Sequence, residues 1–134
     1  MNLLTLIAIL LFVFAGSVLA MRFVFKRRVN KPKYKARWQE LQKFLASRET
    51  WPLAVITADK LLDEALKKRR FKGRSMGERL VSAQRTFSDN DGVWFAHNLS
   101  KKLADESAVR LRQVDVKKSL VGVRQALRDL GVLE

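Results

Sequence analysis

The sequence predicts an all-α chain: a single N-terminal transmembrane helix followed by a small cytosolic bundle of about five helices. Three observations predict it. Residues 1–21 carry no charged side chain, and eight Lys/Arg then fall between Arg22 and Arg37 with no acidic residue among them. Beyond that junction, apolar side chains recur at helical spacing in successive segments. No segment alternates strictly between apolar and polar, as a half-buried strand requires.

The apolar run comes first. Leu3 to Met21 is nineteen uncharged residues, twelve of them Leu, Ile, Phe or Val, and Phe23, Val24 and Phe25 extend it. At ~1.5 Å per residue such a helix covers ~28 Å, close to a ~30 Å hydrocarbon core. Arg22 lies where a long side chain reaches the headgroups. Gly16 and Ala20 put two small residues on one face, a minimal motif for helix pairing. The rival expectation is a signal peptide cleaved after Val18-Leu19-Ala20. Only Met1-Asn2 precedes the run, with no Lys or Arg, and cleavage would send the whole basic collar across the membrane. The flanking charges therefore predict a retained anchor with its C-terminal side in the cytoplasm. The expected organisation is a transmembrane anchor over 1–25, a basic juxtamembrane linker over 26–37 and a helical domain over 38–134. The expected location is a bacterial inner membrane, crossed once, with the N-terminus outside.

Charge points to partners. The chain holds 27 Lys/Arg against 13 Asp/Glu, a net +14, and all of the acidic residues follow the collar. The collar consists of Arg22, Lys26, Arg27, Arg28, Lys31, Lys33, Lys35 and Arg37. Attraction to anionic lipid is the first implication, at ~1 kcal/mol per basic residue near the surface; nucleic acid is the second. Cysteine is absent, which excludes disulfides, thiolate zinc sites and a thiol nucleophile. No cofactor is implied.

The cytosolic elements follow in order. Asn30-Lys31-Pro32-Lys33 reads as a connector. A helix is predicted over about Lys35–Ser47, with Trp38, Leu41, Phe44 and Leu45 on one face. Thr50 and Pro52 suit the start of the next helix, which runs to about Lys68 with Val55, Ala58, Leu62, Ala65 and Leu66 as its stripe. Ser75-Met76-Gly77-Glu78 is a capping box opening a short helix to about Phe87. Ser88 to Gly92 is a turn that caps a helix over about Val93–Glu106. The last helix covers about Val114–Leu130, with Val116, Leu120, Val123, Leu127 and Leu130 buried and Gly131 at its C′ position.

Few residues offer chemistry. Gly73-Arg74-Ser75-Met76-Gly77 matches a nucleophile-elbow pattern, but that motif needs a strand before the serine, and a helix end precedes it here. Asp89-Asn90-Asp91-Gly92 resembles part of a calcium loop, yet Asn98 stands where the bidentate Glu belongs. Asp59, Asp63 and Glu64 lie close on one helix, with Asp63 and Glu64 four residues before Lys67 and Lys68, which favours ion pairs over a metal site. The basic run of Lys67, Lys68, Arg69, Arg70, Lys72 and Arg74 exceeds what helix capping needs and is the candidate phosphate-binding cluster. Trp38, Trp51 and Trp94 read as core or membrane-edge anchors. No catalytic residue and no metal site is assigned.

Ala58 to Leu66, Met76-Gly77-Glu78-Arg79-Leu80 and Trp94-Phe95-Ala96-His97 resemble a family of small bacterial membrane-anchored proteins, over roughly Trp51 to Gly131. That family's fourth segment is similar to helical HEPN domains, whose Arg and His pair builds a ribonuclease site, usually across a dimer. The resemblance implies a HEPN-like bundle of about four helices. Here Ser100 stands where the family has Arg, Lys101 where it has Asn, and Asp105 where it has the second His. The phosphate-holding cation and one imidazole are thereby lost. The expectation is a non-enzymatic interaction module, with a homodimer or another protein as its partner. The alternatives are a membrane-tethered nucleic-acid binder and a residual HEPN-type ribonuclease relying on His97.

Overall fold

A computed structural model describes residues 2–27, 29–106 and 108–134, the side chains of 22–27 excepted. Its elements are α1 (Leu3–Arg27), α2 (Lys31–Gln42), two short 3-10 turns (Lys43–Ala46 and Arg48–Thr50), α3 (Trp51–Lys68), α4 (Met76–Ser82), α5 (Asn90–Asp105) and α6 (Gln113–Asp129). Among the described residues five helices therefore follow α1, as the periodicity predicts, and there is no strand. In α1, Leu3–Met21 is long and apolar enough to cross a bilayer, with a mean hydropathy of 2.7 and none of it buried against the rest of the chain.

α2 begins earlier than the spacing of its apolar residues suggests. The Asn30 side chain accepts a hydrogen bond from the Lys33 amide at 3.2 Å, and Pro32 occupies the first turn. A capping Asn and a proline whose missing N–H costs nothing there start a helix as readily as they form a connector. The residues read as a connector are the first turn of the bundle, and Tyr34 is buried beside Trp38 and Leu41. The helix tightens into 3-10 geometry after Gln42, which leaves Leu45 exposed.

α3 is the central element. It packs against α2, α4, α5 and α6, so its buried set, from Ala54 through Leu66, is wider than the single predicted stripe and includes Leu61. Pro52 sits in its first turn as expected. Thr50 does not cap it: the hydroxyl donates instead to the carbonyls of Phe44 and Ser47, at 2.6 and 3.0 Å.

Helix ends follow local chemistry. α3 and α6 both finish in Schellman turns: Phe71 N–H donates to Leu66 and Val132 N–H to Leu127, with Arg70 and Gly131 at positive φ of 63° and 70°. Gly131 meets that conformation without strain, whereas Arg70 holds its Cβ close to a carbonyl. Gly131→Ala is expected to destabilise the bundle by about 1–2 kcal/mol, because a Cβ there must sit in the left-handed region; thermal unfolding followed by tryptophan fluorescence measures it. The Ser75 hydroxyl caps α4 at the Glu78 amide, 3.2 Å away. Glu78 reaches back one residue further than a capping box predicts, to the Arg74 amide. Asp89 caps α5 at the Gly92 amide, at 2.9 Å.

α5 and α6 form the tightest crossing. Gly92 and Gly122 meet there: a Cβ on Gly122 would lie 2.6 Å from the Gly92 carbonyl oxygen. All five predicted core residues of α6 are buried.

Candidate functional site

The three acidic residues of α3 face three different partners. Asp59 is 7% exposed and lies 3.1 Å from His97 Nδ1 on α5. A carboxylate only accepts, so the Nδ1 proton points to Asp59. Trp94 stacks edge-on against the same imidazole, centroids 6.0 Å apart. The chain's single histidine is thus 9% exposed and already engaged.

Asp63 takes Arg79 of α4 in a bidentate pair, Nε to Oδ1 at 2.7 Å and Nη2 to Oδ2 at 2.9 Å. Arg79 also donates to the Gly73 carbonyl at 2.8 Å. The Asp63 hydrogen bonds hold the Arg79 guanidinium above its ordinary pKa, against the effect of its burial. The predicted Asp63–Lys67 ion pair forms as well, at 3.5 Å. Glu64 departs from expectation: it pairs with Arg37 of α2 rather than with Lys68. Its two hydrogen bonds from Arg37 hold its carboxyl below the usual range, with Lys33 and Lys67 adding to the effect.

The candidate phosphate cluster divides. Arg69 donates through Nε to the Leu130 carbonyl at 2.8 Å and through Nη2 to Gly131, closing the C-terminus of α6. Lys72 and Arg74 are exposed on the loop before α4, where the Lys72 carbonyl accepts from Ser82. Lys67 and Lys68 instead line a pocket of about 500 Å³ with Lys33 and Arg37 from the collar, Tyr34 and Glu64. Two basic segments separate in sequence therefore meet. Of the remaining collar residues, Lys31 and Lys35 are exposed on α2. Arg28 and the side chains of Arg22, Lys26 and Arg27 lie outside the described residues.

Tyr34 is the residue of this pocket that periodicity missed. It is 6% exposed, and burial, then the Glu64 charge, pushes its hydroxyl above the ordinary phenol pKa. The signal was present at Tyr34, Trp38 and Leu41, a four-then-three spacing, but it lay partly inside the segment read as linker.

A second concave surface runs between α2 and α6. Trp38, Leu45, Trp51, Val114 and Val121 are among the residues lining a groove of about 570 Å³. Val114 and Val121 are 61% and 58% exposed on α6. They sit seven residues apart, beside the buried Val116 and Leu120, which put them on a second stripe of the same helix. Lys117 and Arg124 also line the groove, and no acidic residue does.

The remaining motifs have structural roles. Ser75 and Asp89 are helix caps. Asn90 donates to the Gln84 carbonyl at 2.9 Å. Ser100 is buried, while Lys101 and Asp105 are exposed. Trp38 is buried, and Trp51 and Trp94 pack partly buried against the core. Among the described residues, no three acidic or histidine side chains gather in a way that would hold a metal ion.

Compared with known protein families, curated proteins and solved structures, the chain matches none of them.

Proposed function

We propose that the chain is a single-pass membrane protein whose helical bundle, HEPN-like in arrangement, acts in the cytoplasm as a non-enzymatic interaction module. The observation that carries this reading is the groove between α2 and α6. The bundle leaves Val114, Val121 and Leu45 uncovered together along one groove, whereas exposed Leu53 and Val81 do not line it. Exposed apolar surface of this kind costs solubility unless a partner covers it. The anchor reading draws on α1 and on the charges after it. Signal sequences also pass as helices of this apolarity, so retention with the bundle inside rests on the basic residues that follow the run. The non-enzymatic reading draws on His97, whose imidazole is buried and taken by Asp59.

The groove's chemistry selects its occupant. Its lining offers Lys117 and Arg124 beside apolar side chains and no carboxylate, and Arg48 lies over the Trp51 ring at 5.6 Å. A second copy of the same face would bring like charges together. An amphipathic helix with apolar residues toward the groove and Asp/Glu at its edges satisfies both features.

The test is photocrosslinking in intact cells, with a benzophenone side chain at position 121 or, as a control, at exposed Val81 on α4. Adducts from 121, and not from 81, should map to an acidic amphipathic segment of another protein and disappear in a Lys117→Glu/Arg124→Glu variant. Adducts to the same chain would overturn the heterologous partner in favour of a homodimer. Crosslinks to nucleic acid would favour a tethered nucleic-acid binder. A phosphatase fused after Glu134 tests the orientation separately: it should be inactive.

A further inference from the structure

We infer that the pocket between α2 and the end of α3 is a binding site for a phosphate group, and that at the membrane surface its ligand is the headgroup of an anionic phospholipid. The inference rests on the membrane reading above and deepens it.

The argument begins with convergence. Lys33 and Arg37 come from α2, Lys67 and Lys68 from the last turn of α3, and all four line one concavity with a single carboxylate, Glu64. Four cations facing one space repel each other unless an anion sits among them. Glu64 supplies one charge and is bound by Arg37, and Asp63 pairs with Lys67 from outside the pocket, so a net excess of about two positive charges remains. A divalent or diester phosphate is the anion that such a set of ammonium and guanidinium groups suits.

Burial gives the second observation. Tyr34 lines the pocket while 6% exposed. Its hydroxyl makes no hydrogen bond to the described residues, and it feels the charges of Glu64 and Arg37. A phosphate oxygen would accept its proton.

Position along the chain selects the lipid. Val29 and Asn30 also line the pocket, and the apolar run of α1 ends at Met21. Met21 to Arg27 is helical, about 9 Å of rise. The headgroup layer is roughly 5–8 Å thick on each side of the hydrocarbon. A pocket whose first lining residues follow directly on that stretch of chain lies at the outer edge of the headgroup layer, where long Lys and Arg side chains reach back to lipid phosphates. A soluble phosphate ester has the same chemistry, and the test separates the two.

The experiment uses the full chain in nanodiscs of phosphatidylcholine containing a small fraction of dansyl-labelled phosphatidylglycerol. Energy transfer from the tryptophans, all of them in the bundle, reports association. Lys67→Ala/Lys68→Ala is expected to weaken association by tenfold or more. Lys101→Ala/Lys102→Ala removes the same charge from exposed positions on α5 and should change it less than twofold. Glu64→Gln removes the one anion of the pocket and should strengthen association. Equal losses from the two lysine pairs would mean diffuse charge only and would overturn the site. Inorganic phosphate that displaces the labelled lipid at millimolar concentration assigns a soluble phosphate as the ligand; failure to displace it assigns the headgroup. Oligonucleotide binding that is lost in Lys67→Ala/Lys68→Ala, with no lipid preference, would overturn the lipid assignment. Failure of the chain to enter nanodiscs would count against the membrane reading. Entry with no preference for the anionic lipid counts against the pocket alone.

Discussion

Gly122→Ala is expected to lower the stability of the bundle by about 2–3 kcal/mol. The added methyl would sit 2.6 Å from the Gly92 carbonyl oxygen and 2.7 Å from its carbonyl carbon. Both neighbours are backbone of α5, so no side chain can rotate away. The helices must separate by several tenths of an ångström, and the contacts of Val93, Ala96, Val123 and Ala126 around the crossing loosen with them. At ~4–8 °C per kcal/mol for a domain of this size, the midpoint falls by about 10–20 °C. Trp38, Trp51 and Trp94 all lie after α1, so tryptophan emission from the full chain in detergent follows the bundle without interference from the anchor. Gly77→Ala is the matched control. Its Cβ would meet only the Ser75 hydroxyl and the Trp94 ring, both at 3.8 Å. Alanine is the better helix former there, so the midpoint should hold or rise slightly. Equal losses from both substitutions would mean that helix propensity, and not the close crossing, governs the result.

Asp63→Ala should cost a similar amount, about 2–3 kcal/mol, because it strands a buried guanidinium. Arg79 is 8% exposed, and without Asp63 it keeps only the Gly73 carbonyl as a hydrogen-bond partner among the described residues. Its desolvation then goes uncompensated, and α4 loses its charged link to α3. Asp63→Ala/Arg79→Met should be less destabilised than the sum of the single changes, since removing both charges removes the unpaired one. Glu64→Gln gives the contrast. The Arg37–Glu64 pair has side chains 37% and 49% exposed, and a pair so open to water contributes under about 1 kcal/mol. Chemical denaturation of the full chain in detergent separates the two cases. Equal effects at Asp63 and Glu64 would contradict the argument from burial.

Local signals were legible because they act over one to four residues. Ser75, Pro52 and Gly131 each fix a helix end through their own backbone geometry and nearest amides, and the sequence places all three, while within the turn read over Ser88 to Gly92 it is Asp89 that caps and the helix begins at Asn90. Asn30 and Pro32 show the ambiguity of the same signals. An Asx residue before a proline both starts helices and breaks them, and only the burial of Tyr34 against the core decides which. Every member of the predicted α6 stripe is buried, with Ser119, Gly122 and Ala126 beside them, whereas the buried set of α3 spreads wider because four helices surround it.

The sequence by itself determined an apolar run without charge, about five helices after it, and the absence of a thiol. Each follows from composition or from the 3.6-residue period. The tertiary structure decided which charges meet. Asp59 found His97 thirty-eight residues away, Asp63 found Arg79 sixteen away, and Glu64 found Arg37 twenty-seven away. Lys33 and Arg37 joined Lys67 and Lys68 around one pocket, while Arg69, one residue on, turned to the end of α6. No periodicity encodes such pairings. They depend on the rotation and crossing of helices about α3, which the packing of the whole core sets.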